Sequence, residues 1–92
     1  MKDETRLKEI IAAGKDADQW LNHPQYRHVI TLIKAELLEA FEKTKFKDSA
    51  ERDEIWRKLQ SLNIITHRME RMVRDGEQAN RSLLQLIREK FG

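Results

Sequence analysis

From Ala50 to Phe91 the chain runs for nearly half its length without a proline and with a single glycine, and its apolar residues keep one heptad phase. Taking Leu59 as an inward position and alternating steps of four and three gives Ile55, Leu59, Leu62, Thr66, Met69, Val73, Gly76, Asn80, Leu83 and Ile87, most of them apolar. The pattern predicts one long helix over about 49–90 whose stripe another element must cover. Asp75-Gly76 has the form of a helix C-cap. The stripe keeps its phase across that pair, however, which favours a continuous helix with Gly76 making room for a bulky neighbour such as Trp20. A break there would instead give a fourth helix.

Two shorter helical patterns precede it. About Asp3 to Leu21, the residues Leu7, Ile10, Ile11, Gly14, Ala17, Trp20 and Leu21 fall on one side at helical spacing. Gly14 lies on that stripe and reads as a point of close helix approach or of local weakness. Asn22, His23 and Pro24 interrupt the pattern; Asn22 or His23 suits an N-cap, and Pro24 suits a first helical turn, where its missing N–H costs nothing. About Pro24 to Lys43, Tyr26, Ile30, Ile33, Leu37, Ala40 and Phe41 share a face, with Val29, Leu32 and Leu38 beside it. So wide an apolar arc predicts more than one neighbour. Thr44 to Lys47 is polar and basic, and Asp48-Ser49-Ala50-Glu51 has the form of a capping box, which places a turn at about 44–48.

Length connects the three segments. At the helical rise, about 42 residues span roughly 63 Å and the first two segments together roughly 60 Å. The expectation is an all-α fold: a single domain over 1–92, built as an antiparallel helical hairpin with its first arm split near Asn22-Pro24 and a long second arm. Measured from the turn, Leu37 falls near Ile55 or Trp56, Tyr26 near Thr66, and Trp20 near Gly76.

Composition agrees with long helices: 37% charged, 39% apolar, three glycines and one proline in 92 residues. A chain this short buries a modest core, so packing between chains is a natural way to cover its remaining apolar surface. The net charge of +2 makes no strong case for nucleic acid. The absence of cysteine excludes disulfides and thiolate zinc sites. No apolar run is long enough to span a bilayer, and MKDETRLKEI lacks the apolar core of a secretory signal, so no membrane association and a cytoplasmic location are expected.

Candidate chemistry is sparse, and no cofactor is expected. His23 and His28 are five apart and His67 lies elsewhere, so neither HExxH nor a repeated Glu-x-x-His motif is present. His67 with Glu70 reads as a solvated pair. Glu36, Glu39 and Glu42 recur every third residue, but a narrow hairpin gives them no enclosed pocket for acid/base work, with Lys43 and Lys45 nearby. Neither a nucleophile motif nor a phosphate-cradling loop occurs, and the chain is not expected to be an enzyme. Away from the stripe, His67, Arg68, Arg71, Arg74, Arg81 and Arg88 could contact an anionic ligand or nucleic acid. Interleaved Glu70, Asp75, Glu77 and Glu89, and the lack of exposed aromatics between the arginines, weigh against that role. Trp20 and Trp56 are the natural interface anchors. With Ile64, Ile65, Met72 and Leu86 also outside the stripe, the third segment has more apolar surface than one short partner covers, which predicts a homo-oligomer. Thr66 and Asn80, polar at stripe positions, would then fix its register.

Two stretches, Asp48-Ser-Ala-Glu-Arg-Asp-Glu-Ile-Trp-Arg-Lys-Leu-Gln-Ser-Leu and Val73-Arg-Asp-Gly-Glu-Gln-Ala-Asn-Arg-Ser-Leu, resemble small helical-hairpin proteins encoded in tailed-bacteriophage genomes. Trp20-Leu21-Asn22-His23-Pro24 and Phe41-Glu42-Lys43-Thr44 are similar to further motifs of those proteins, and the likeness covers most of residues 17–84. It implies a phage origin and a compact helical hairpin, and supplies no catalytic residue. The expected function is a non-enzymatic, self-associating virion or assembly component with phage or host protein partners, located in the host cytoplasm or the virion. One alternative is a counter-defence protein that blocks a host factor or sequesters a nucleotide signal; another is a nucleic-acid-binding module using the arginines.

Overall fold

The computed structural model describes residues 2–91, and these form three α-helices with no strand among them: α1 (Lys2–Asn22), α2 (Pro24–Lys43) and α3 (Ser49–Phe91). The expected boundaries hold to within a residue. His23 is the link between α1 and α2: its backbone is extended, its Nδ1 accepts the Gln25 N–H at 3.2 Å, and its carbonyl accepts the first helical bond from Arg27 at 3.0 Å. Pro24 occupies the first turn of α2.

At the other end of α2, Thr44 closes the helix twice onto the Phe41 carbonyl, through its N–H at 3.1 Å and its hydroxyl at 2.6 Å. Asp48 starts α3. Its carbonyl accepts the Arg52 N–H at 3.0 Å, and its carboxylate reaches back to accept the Lys45 N–H at 2.9 Å, tying the turn together.

The chain divides into two compact units, residues 2–21 with 68–91, and residues 22–67. In the first, α1 packs against the second half of α3 through two glycines. Gly14 and Gly76 meet backbone to backbone: a Cβ on Gly14 would stand 2.8 Å from the Met72 carbonyl oxygen and 3.0 Å from the Gly76 Cα. Both glycines have ordinary helical φ, so they serve by lacking a side chain, and Gly76 ends no helix. Each belongs to a Gly-x-x-Ala step, Gly14 to Ala17 and Gly76 to Ala79, and all four residues are buried.

This contact corrects two expectations. The neighbour at Gly76 is the backbone of Gly14; Trp20 lies six residues further along α1 and is 57% exposed. The buried position after Gly76 is Ala79, while Asn80, which the heptad count places on the inward stripe, is exposed. Helices this close leave room for a methyl one turn from the glycine and none for an amide. Ile87, also on the expected stripe, is exposed as well.

In the second unit, α2 folds back along the first half of α3. The Arg52 guanidinium lies 4.5 Å from the centre of the Phe41 ring and 5.9 Å from that of Phe46. Ile55 is the large side chain buried here, 7% exposed, and Leu59, Leu62 and Thr66 continue its stripe half-buried. Thr66 satisfies its hydroxyl within the helix, donating to the Leu62 carbonyl at 3.1 Å. On α2, Tyr26, Ile30, Ile33, Leu37 and Phe41 are half-buried, and no residue of that helix is fully buried.

Candidate interaction surface

The geometry offers surfaces and little enclosure. Beside the glycine contact lies an open groove of about 310 Å³, floored by Ile11 and Val73 and walled by Lys15, Asp18, Glu77 and Asn80. At the turn, Phe41, Phe46, Arg52 and Trp56 border a second shallow depression. Among the described residues, no three His, Cys, Asp or Glu side chains gather as a metal site would. Glu36, Glu39 and Glu42 are all exposed, and Glu39 pairs with Lys43 at 3.1 Å, one turn along the same helix. No helix among the described residues is long and apolar enough to cross a membrane.

Of the candidate interface side chains, Trp20, Trp56, Ile64, Ile65 and Leu86 are exposed, Ile64 most of all at 67%. Met72 is placed differently. It is half-buried, with its carbonyl oxygen against Gly14, so it belongs to the α1–α3 contact. The apolar surface is therefore distributed over both units rather than gathered around the two tryptophans.

His67, Arg68, Arg71, Arg74, Arg81 and Arg88 are all exposed. At 100° per residue, positions 67, 71, 74, 81 and 88 form a row on the side of α3 opposite Gly76, and Arg68 stands well off it. Arg81 donates to the Gln78 side-chain oxygen at 2.9 Å, one turn earlier on the same row. Five of the six share one side of the helix, spread along its length from 67 to 88, with Glu70 and Glu77 exposed alongside.

Phe46 went unrecognised in the sequence. It is 94% exposed, in a turn that reads as merely basic. An aromatic residue flanked by Lys45 and Lys47 was the available signal. Arg52 was likewise overlooked, because its partners Phe41 and Phe46 come from across the turn.

No protein family, curated protein or solved structure matches this chain.

Proposed function

We propose that this chain is a non-enzymatic, phage-type helical protein, an antiparallel hairpin that works through self-association and protein contacts as a virion or assembly component. One observation carries the reading: α2 is the most apolar of the three helices and yet has no buried residue. A soluble helix rich in Val, Ile, Leu and Phe ordinarily turns those side chains into a core. Here Val29, Leu32 and Leu38 stay about half exposed, and α3 adds Ile64, Ile65, Leu84 and Leu86. Exposed apolar surface of this kind marks sites of protein–protein interaction. The phage assignment draws on the sequence resemblance of Asp48–Leu62 and Val73–Leu83. The reading is tested by the mass in solution, expected to be at least twice 11.0 kDa. Light scattering that shows only a monomer at high concentration would remove its support.

The exposed row of Arg71, Arg74, Arg81 and Arg88 favours a second reading, in which the chain holds a nucleic acid or, as a counter-defence protein, a nucleotide signal. Nucleic-acid binding would fall steeply between low and physiological salt and weaken in Arg71→Ala/Arg74→Ala. A nucleotide ligand would raise the melting temperature. Absence of both effects ends that reading.

A further inference from the structure

We infer that a short single strand of nucleic acid docks along one flank of the α2–α3 unit, the flank that carries Arg27, Lys34 and Arg52 with Trp56 and Phe46. The ligand class is that of the second reading above, but the surface is a different one, and the variants below tell the two apart.

Charge is sorted between the two flanks of this unit. Arg52 over Phe41 sets the antiparallel register, which brings Lys34 level with Gln60 and Leu38 level with Trp56. Direction follows from the helical turn of 100° per residue. With Ile30, Ile33, Leu37 and Phe41 pointing to α3, and Ile55, Leu59, Leu62 and Thr66 pointing to α2, one flank receives Arg27, Lys34, Arg52, Trp56, Gln60 and Asn63. Glu36, Glu51 and Glu54 turn to the other flank, where Glu54 pairs with Lys58 at 3.5 Å. Burial agrees with this sorting. Lys34, Arg52, Gln60 and Asn63 are half-buried, as residues bordering the seam must be, whereas Glu36, Glu51, Glu54 and Lys58 are exposed. Among the described residues, Arg27, Lys34 and Arg52 form no ion pair with a carboxylate. Glu42 and Asp53 stand only at the outer edges of this flank, roughly 140° from the seam.

The aromatic residues decide between anionic partners. Trp56 is 57% exposed and Phe46 94%, and with Phe41 and Arg52 they border the depression at the turn. A carboxylate-rich peptide would engage the cations and leave these rings in water. A nucleotide strand engages both, because each base offers a flat face to stack on a ring and each phosphate a charge for a cation. The arginine row on α3 has no such rings. A duplex keeps its bases stacked on one another, so the rings select a single strand.

The spacing suits an extended strand. Arg27, Lys34 and Arg52, the last level with Phe41, follow one another at about 10 Å along the unit, so the flank is roughly 21 Å long. Between the cations, the side-chain amides of Gln60 and Asn63 supply donors and acceptors for base edges.

Fluorescence anisotropy of a labelled single-stranded oligothymidylate about ten nucleotides long, titrated with the full chain at low salt, tests the placement. Three phosphate contacts predict that log K falls against log salt with a slope of about −2, and Arg27→Ala/Lys34→Ala should bring the slope to about −0.7. Trp56→Ala should bind about tenfold more weakly at an unchanged slope, because it removes a stacking face and no charge. Arg27→Lys/Lys34→Arg keeps both charges and should bind as wild type does. Circular dichroism follows helix content in every variant. A readout independent of how the alanine variants fold comes from Trp20→Phe, in which Trp56 is the one tryptophan left and its emission should be quenched by the strand. No binding at low salt, or equal binding of the strand annealed to its complement, overturns the inference. Polyglutamate that competes equally per charge overturns nucleic acid as the occupant. Wild-type affinity and slope in Arg27→Ala/Lys34→Ala, or unquenched Trp56, overturns the placement. Binding lost in Arg71→Ala/Arg74→Ala instead overturns it too, and moves the strand to the arginine row of α3.

Discussion

Gly14→Ala puts two effects of known sign against each other. In a solvated helix interior the change stabilises by about 1 kcal/mol, through helix propensity. At Gly14 the new Cβ would stand 2.8 Å from the Met72 carbonyl oxygen and 3.0 Å from the Gly76 Cα, and both are backbone atoms that no rotamer change can move. An ordinary carbon–oxygen contact is about 3.3–3.6 Å, so the helices must part by roughly 0.5 Å or more. A gap of that size forfeits a quarter to a half of the dispersion attraction of the surrounding contacts. The buried methyls of Ala17 and Ala79, one turn away, share the loss. Overpacking of this kind costs about 1–3 kcal/mol, which outweighs the propensity gain and leaves a net loss of about 1 kcal/mol.

That loss corresponds to a melting temperature lower by about 4–8 °C for a chain of this size, measurable by circular dichroism at a fixed protein concentration. Ala12→Gly calibrates the propensity term on the exposed side of the same helix and should lose about 1 kcal/mol by itself. Glycine is thus expected to be worse than alanine at position 12 and better at position 14. Gly76→Ala meets looser surroundings, 3.1 Å to the Gly14 Cα and 3.4 Å to the Ile10 carbonyl oxygen, and should cost less. Once one alanine has parted the helices the second finds room, so the double variant should cost less than the sum of the two. A melting temperature that rises in Gly14→Ala refutes the close contact.

Other perturbations reach the remaining joints of the fold. Ile55→Ala empties the large side chain buried in the α2–α3 unit and should cost about 2–4 kcal/mol by urea denaturation; a loss under about 1 kcal/mol would show that the site collapses or was never tightly packed. Arg52→Ala removes the guanidinium over Phe41 and should cost about 0.5–1 kcal/mol, whereas Arg57→Ala, exposed on the next turn, should leave the melting temperature unchanged. His23→Asp replaces an imidazole cap by a carboxylate at the positive end of α2 and should gain about 0.5–1 kcal/mol; no gain would mean that the His23–Gln25 bond does not hold that helix end.

The helices and their ends were legible because each is set by local chemistry. Pro24, Thr44 and Asp48 mark boundaries through groups that act within three or four residues, and the heptad phase carried α3 correctly through Asp75-Gly76. Periodicity also put Gly14 on the stripe as a point of close approach or of local weakness, and the first is what is observed. What it could not identify was the partner. Matching arm lengths put Trp20 near Gly76, whereas the observed pairing sets glycine on glycine. A length argument tolerates an error of a turn, and the fit of a missing Cβ against a carbonyl does not. The change from Asn80 to Ala79 on the stripe has the same origin, since a heptad count knows the spacing of positions but not how closely the facing backbone approaches. The surfaces were legible only in outline. An excess of apolar residues over partners could be read from α2 and α3, but which side chains stay exposed depends on how much of each helix its neighbour covers.

With so small a core, the self-association proposed above would make folding and assembly one equilibrium. Among the described residues, Ala17, Ile55 and Ala79 are the apolar side chains that reach full burial, and two of these are single methyl groups. Burying a large aliphatic side chain stabilises by about 1.5–3 kcal/mol, so a core of this kind offsets little of the conformational entropy of ordering each residue, about 1–2 kcal/mol. In the proposed self-association, covering the half-exposed apolar face of α2 would supply stability that the isolated chain lacks, and unfolding a dimer would release two chains. Each tenfold dilution should lower the apparent stability by about 1.4 kcal/mol per dimer. With an unfolding entropy of about 2.1 cal/mol/K per residue, that lowers the melting temperature by about 3–4 °C per decade. Thermal melts over a hundredfold concentration range measure the slope directly. A melting temperature constant over that range would show that the helices hold without a partner, and the half-exposed face of α2 would then have to be explained by binding to something other than a second copy.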